Sequence, residues 1–156
     1  LVTARRWDIY EDPFEDAAQF ERYIDYTSGH LLVVASGVLG GADPQVVRDF
    51  AFATGLSNWF QAVPKLLSQR RHPLLDLSSK SLRRLAEQGL QRLAMARNSR
   101  GLVSSDAGAA LLCGWQTKSY LTEAFHHPER VLSGLSGPRL FVSKARLLAQ
   151  AATGRW

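Results

Sequence analysis

Residues 51–73, AFATGLSNWFQAVPKLLSQRRHP, constrain this chain more than any other stretch. As far as Val63 the segment is apolar on every side of a helix, and such a helix belongs at the centre of a fold rather than on its surface. It then leaves through a basic exit of Lys65, Arg70, Arg71 and His72. The polar residues inside it are Thr54, Ser57, Asn58 and Gln61. Thr54, Asn58 and Gln61 fall on one stripe by three-to-four-residue spacing. A polar stripe on a buried helix implies either a lined cavity or a hydrogen-bonded contact.

Helical punctuation recurs on both sides of this segment, and the strand signature is almost absent. Residues 16–39 read as one long helix with an interruption at Ser28-Gly29. Asp43-Pro44 is an N-cap followed by proline at the first helical position, and the helix it opens runs to Val63 or a turn beyond Pro64. Ser78 or Ser79 caps a helix reaching Arg100, with Leu82, Leu85, Leu90 and Leu93 inward and Arg83, Arg84, Glu87, Gln91 and Arg92 outward. Ser104-Ser105-Asp106 starts another that ends at His126-His127-Pro128. Gly137-Pro138 opens the last, with Phe141, Val142, Ala145 and Leu148 on its apolar face. The expectation is a single all-α domain over residues 1–156, with five main helices and a short N-terminal one.

Composition narrows the function classes. A chain of 156 residues, 46% hydrophobic, can bury a real core without staples. The single cysteine, Cys113, excludes an internal disulfide framework and reads as a small buried hydrophobe. No uninterrupted apolar run is long enough to span a bilayer, and no signal peptide opens the chain. The expected location is the cytoplasm or an organelle matrix, with peripheral membrane contact and no secretion. The start at Leu-Val-Thr, without a methionine, suggests a product whose upstream part is missing.

Charge is divided along the chain. Residues 1–49 hold four Lys/Arg against nine Asp/Glu, and residues 50–156 hold fifteen against five. Either the two regions complement each other in the fold, or the second faces an acidic partner or an anionic surface.

Residues 23–41, YIDYTSGHLLVVASGVLGG, and residues 55–63, GLSNWFQAV, together resemble the squalene/phytoene synthase family. There, a helix with a pattern like YCYxVAGxVG is followed by one carrying QLTNxLRDVxED. The upstream ARRWDIYEDPFEDAAQFERY looks like the helix and acidic linker that precede the Tyr-rich helix. The resemblance covers most of residues 1–75 and implies an isoprenoid synthase-like helical bundle, of which this chain would be the second half to two-thirds. Tyr23, Tyr26 and Gly29 match the Tyr-rich motif, and Asn58 matches the asparagine of the second acidic motif. Gly55 stands in place of glutamine and Gln61 in place of arginine. Ala62 replaces the first metal-binding aspartate, and Lys65 and Leu66 replace the Glu and Asp that close the motif.

Those replacements bear on mechanism. The family ionises an allylic diphosphate with magnesium ions held between aspartates on facing helices. Alanine, lysine and leucine supply no oxygen ligand, so no metal residues and no catalytic residues can be named here. Magnesium would be a cofactor only if upstream residues supplied the carboxylates. Lys65, Arg70 and Arg71 could contact an anion as point charges. The same family includes degenerate members linked to assembly of respiratory complex I, which residues 55–73 resemble more closely than they do the active synthases.

Other constellations are weaker. Glu11, Asp12, Glu15 and Asp16 surround Pro13 and read as a solvated loop and helix N-terminus. His30 reads as a core or cavity-lining residue, and His126-His127 as a helix C-terminus. Trp7, Trp59, Trp115 and Trp156 are too evenly spread for a nucleic-acid stacking platform, so no nucleic-acid partner is expected. Arg139, Lys144, Arg146, Arg155 and Trp156 could lie at an anionic membrane interface. The leading expectation is a non-catalytic squalene/phytoene synthase-like protein that binds an isoprenoid-type lipid near Tyr23, Tyr26, Asn58 and Gln61, or acts in complex assembly with a protein partner. The alternatives are an active head-to-head prenyltransferase and a plain helical protein-interaction module.

Overall fold

The computed structural model describes residues 13–137 and 140–156, without the side chains of 140–143 and 146. The described residues are helical, with one isolated β-bridge between Ala42 and Val103. The elements are α1 (Ala17–Ile24), a π-helical turn (Asp25–Gly29), α2 (His30–Leu39), α3 (Pro44–Ser68) and α4 (Ser79–Asn98). A 3-10 turn (Arg100–Leu102) leads to α5 (Ser105–Leu111), a second 3-10 turn (Leu112–Gly114), α6 (Thr117–His126), α7 (Arg130–Ser133) and α8 (Leu140–Thr153). The expected short N-terminal helix, Trp7, and Glu11 and Asp12 lie outside the described residues, as do the opening of the last helix at Pro138 and the side chains of Arg139, Phe141, Val142 and Arg146.

Local chemistry sets the helix starts. The Asp16 carboxylate accepts from the Gln19 amide at 2.6 Å. Asp43 accepts from Gln45 and Val46 amides at 2.9 and 3.1 Å, with Pro44 in the first turn where its missing N–H costs nothing. Ser78 and Ser104 hydroxyls accept from Ser81 and Ala107 amides at 3.3 and 3.2 Å.

The long helix expected over 16–39 is continuous but not uniform. At Asp25–Gly29 it widens into a π turn, where the Thr27 hydroxyl donates to the Tyr23 carbonyl at 2.7 Å. The turn packs on α3 so closely that a Cβ on Gly55 would stand 2.8 Å from both Ile24 Cγ2 and Ser28 Oγ. Gly55 is therefore a close-approach residue. The helix α2 ends at Gly40, whose φ of +145° no ordinary side chain adopts readily.

Helix α3 is the axis of the fold. It packs against α1, α2, the π turn, α4, α6 and α7. Phe50, Ala51, Ala53, Leu56, Phe60 and Val63 have no exposed surface. Truncating Phe50 or Phe60 to alanine would cost about 3–5 kcal/mol. Helix α3 also runs a turn past Pro64 to Ser68 before Arg70, with φ +62°, closes it in the left-handed conformation. The Arg70 and Arg71 amides donate back to Leu67 and Leu66 carbonyls at 2.9 and 3.0 Å.

Helix α4 lies along α3 and buries Leu82, Ala86, Leu93 and Ala96. Leu85 and Leu90 are half-buried, while Arg83, Arg84, Glu87 and Gln91 face solvent, as the spacing predicts. Arg92 departs from that pattern. Its guanidinium sits 4.1 Å over the Phe52 ring and pairs with Glu21 at 3.0 Å. Glu21 also accepts from Gln88 at 2.8 Å. The acidic first region thus reaches the basic helix through Glu21, a half-exposed contact of modest strength.

The helix expected over residues 104–125 is broken. At Leu112–Gly114 the chain tightens, and a Cβ on Gly114 would stand 2.4 Å from Phe50 Cζ and 2.6 Å from Thr54 Oγ1. Cys113, expected inside, is exposed on this turn. Packing around its sulfur nonetheless raises the thiol pKa through desolvation. Trp156, expected at a surface, is buried with its ring edge-on to Phe50 at 5.1 Å. On α8, Ala145 and Leu148 are exposed rather than packed.

Candidate functional site

Four residues were expected to line one cavity: Tyr23, Tyr26, Asn58 and Gln61. Helix α1 carries Tyr23 into the core, where its ring meets Trp59 at 5.2 Å and Phe14 at 5.6 Å. Phe20 completes the cluster against Trp59 at 5.8 Å, and Trp59 Nε1 donates to the Pro73 carbonyl at 3.0 Å. All four rings are buried. Tyr26, in the π turn, lies outside this cluster, 42% exposed, with its ring 5.0 Å from that of His30. His30 is half-buried, with Nε2 3.7 Å from the Asp25 carboxylate, which also pairs with Arg48.

The polar stripe of α3 divides in two. Thr54 is buried and accepts a hydrogen bond from the Thr117 hydroxyl at 3.2 Å. Asn58 and Gln61 are exposed, and Gln61 Nε2 donates to its own helix at the Ser57 carbonyl, 3.2 Å away. The cover supplied by α6 and the Gly114 turn ends before Asn58. Tyr23 is therefore enclosed while Tyr26, Asn58 and Gln61 meet solvent, and the four do not enclose a common cavity.

Lys65, Arg70 and Arg71 stand together at the end of α3, the first two exposed and Arg71 half-buried. Ala62 and Leu66 are half-buried beside Lys65. These positions present no oxygen ligand, so they do not fit the magnesium that the family resemblance implies. Among the described residues, no three His, Cys, Asp or Glu side chains converge as a metal set. His126 closes α6, and His127 Nδ1 lies 3.4 Å from Glu129.

The least expected feature is on α2. Its residues 31–39 carry no charge, and its sequence reads as a fully buried helix. One face packs against α3 and α5, with Ser36 buried. The other face is open: Leu31 is 51% exposed, Val34 65% and Val38 81%, and Leu39 and Tyr26 are also exposed. Leu31, Val34 and Val38 follow the spacing of one helical ridge. Gly37 is exposed beside them, with nothing within 4 Å of where its Cβ would be. The sequence did hold a signal for this site, the run of charge-free residues 31–42, but an apolar run alone does not distinguish a buried helix from an unpartnered one.

No helix among the described residues is long and apolar enough to cross a membrane. Comparison with known proteins gives no matching family model, no matching curated protein and no matching solved structure.

Proposed function

We propose that this chain is a non-catalytic helical domain of squalene/phytoene synthase-like type that works in protein assembly, with the open face of α2 as its contact surface. The single observation that carries the reading is the ridge of Leu31, Val34 and Val38, exposed on a helix without a charged side chain over residues 31–39. Contiguous exposed apolar patches larger than a few hundred Å² mark interaction sites. The ridge is convex and open, which suits a packed helix better than a lipid chain needing enclosure. The glycine beside it allows a second helix to approach closely.

The ridge is also short. A standard interface takes about 800 Å² from each partner, more than one face of a ten-residue helix offers. A single apolar helix of a partner protein, packed side by side against the ridge, fits that area better than a second copy of the chain. Ala62, Lys65 and Leu66 support the non-catalytic side of the reading, because they remove the carboxylates that the diphosphate chemistry needs.

The test uses the full-length protein in its native host, unaltered or carrying V34E and V38E together. A stoichiometric complex with one protein, lost in the variant while the thermal transition is kept, supports the reading. A complex that survives both substitutions overturns it, as does magnesium-dependent turnover of farnesyl or geranylgeranyl diphosphate.

A further inference from the structure

Exposed apolar side chains continue past the end of α2. The chain leaves that helix through Gly40 and Gly41, and the 3-10 turn after α4 is clamped to the residues that follow. Ala42 and Val103 form the β-bridge, the Asp43 amide donates to the Leu102 carbonyl at 2.9 Å, and the Ser104 amide donates to the Gly41 carbonyl at 3.1 Å. Val103 packs on the core, whereas its neighbour Leu102 is 60% exposed. Leu39, the last residue of α2, is exposed as well. A Cβ on Gly41 or on Gly101 would meet nothing within 4 Å, so the backbone on both sides of the bridge is open to close approach.

The two ends of α2 differ in charge. At the first end the Asp25 carboxylate pairs with Arg48, and His30 Nε2 lies 3.7 Å from it. At the far end the last carbonyls of α2 form the negative pole of the helix. Asp106 is exposed there, on the opening turn of α5, and a Cβ on Gly40 would stand 3.4 Å from Asp106 Cβ. Asp43 follows three residues after Gly40 and is half-buried. Among the described residues, no ion pair involves Asp43 or Asp106. A surface laid along the ridge therefore meets no charge until it reaches two carboxylates. An anionic lipid surface would set its phosphates against them, whereas a partner helix with a cation at that point would be complementary.

We propose that the helix docking on α2 is amphipathic and roughly four turns long, that it runs past the end of α2 onto Leu102, and that it carries a lysine or arginine where it passes Asp106. This rests on the reading of α2 as a contact surface, and it adds the extent of that surface and the chemistry of the partner.

The test places a photo-reactive phenylalanine analogue at position 38 or at position 102 of the full-length protein in its native host, with and without D106K or D106N. Variants that keep the thermal transition are compared. Adducts from both positions on one partner helix, with a lysine or arginine within a turn of the adduct from 102, support the proposal. D106K should lower the adduct yield from position 102 about fivefold or more, D106N should lower it less, and exchanging the partner's cation for glutamate should restore the D106K yield. Adducts from position 38 alone, or from the two positions on different helices, overturn the proposal and leave the reading of α2 standing. Protein adducts from neither position overturn both. A yield that D106K and D106N leave unchanged overturns the proposal.

Discussion

Thr54 and Thr117 share a buried hydrogen bond of 3.2 Å between their hydroxyls, which ties the central helix α3 to α6. A hydroxyl left unpaired in such a place costs about 1–3 kcal/mol. Thr54→Val should therefore destabilise by about that amount, because Thr117 loses its partner. Changing both to valine should recover most of the loss, since neither polar group then remains. A double-mutant cycle by denaturant unfolding measures the coupling. Strictly additive losses would mean that the two hydroxyls do not depend on each other.

The π turn approaches α3 so closely at Gly55 that the position has no room for a side chain. A single methyl at that position meets Ile24 and Ser28 at 2.8 Å. Gly55→Ala should cost about 1–3 kcal/mol through overpacking, despite the better helix propensity of alanine. Thermal unfolding of the variant checks this. A stabilised variant would show that α1 and α3 can move apart freely.

Arg70 closes α3 with φ +62°, a conformation that favours glycine. Arg70→Gly should stabilise the protein by roughly 0.5–1 kcal/mol, read as a higher denaturant midpoint.

Glu123 gives the fold an acid-sensitive joint. Burial would raise its pKa, but the Ser136 and Gly137 amides and the Arg130 guanidinium outweigh that and hold it below the usual value of 4.5. A carboxyl depressed in the folded state contributes stability above its unfolded pKa and loses it as pH falls through the folded value. Stability should thus fall with acid from about pH 4.5 downward, and Glu123→Gln should flatten that part of the curve. Equal slopes for both proteins would contradict this assignment.

Much of the fold was legible because its signals are local. Asp43-Pro44, Ser78 and Ser104 start helices through bonds made within three residues. The interruption read at Ser28-Gly29 is the π turn. What was not legible depends on distant neighbours. The break at Leu112–Gly114 exists because Gly114 passes beneath Phe50 and Thr54, sixty residues earlier in the chain. Asn58 and Gln61 share a helical stripe with Thr54, yet only Thr54 is covered, and periodicity cannot say where a cover ends. Trp156 carries no mark of burial in its own sequence, yet it packs edge-on against Phe50. The open face of α2 was hidden for the opposite reason: its residues are what a core helix would carry.

The most direct measurement is photo-crosslinking from position 38 at the crest of the α2 ridge. A photo-reactive phenylalanine analogue at that position, in the full-length protein in its native host, should yield one predominant protein adduct. Mapped by mass spectrometry, that adduct should fall on an apolar helix of the partner and should disappear when V34E is added. Adducts confined to water or lipid would contradict the account, as would a protein adduct that V34E leaves intact.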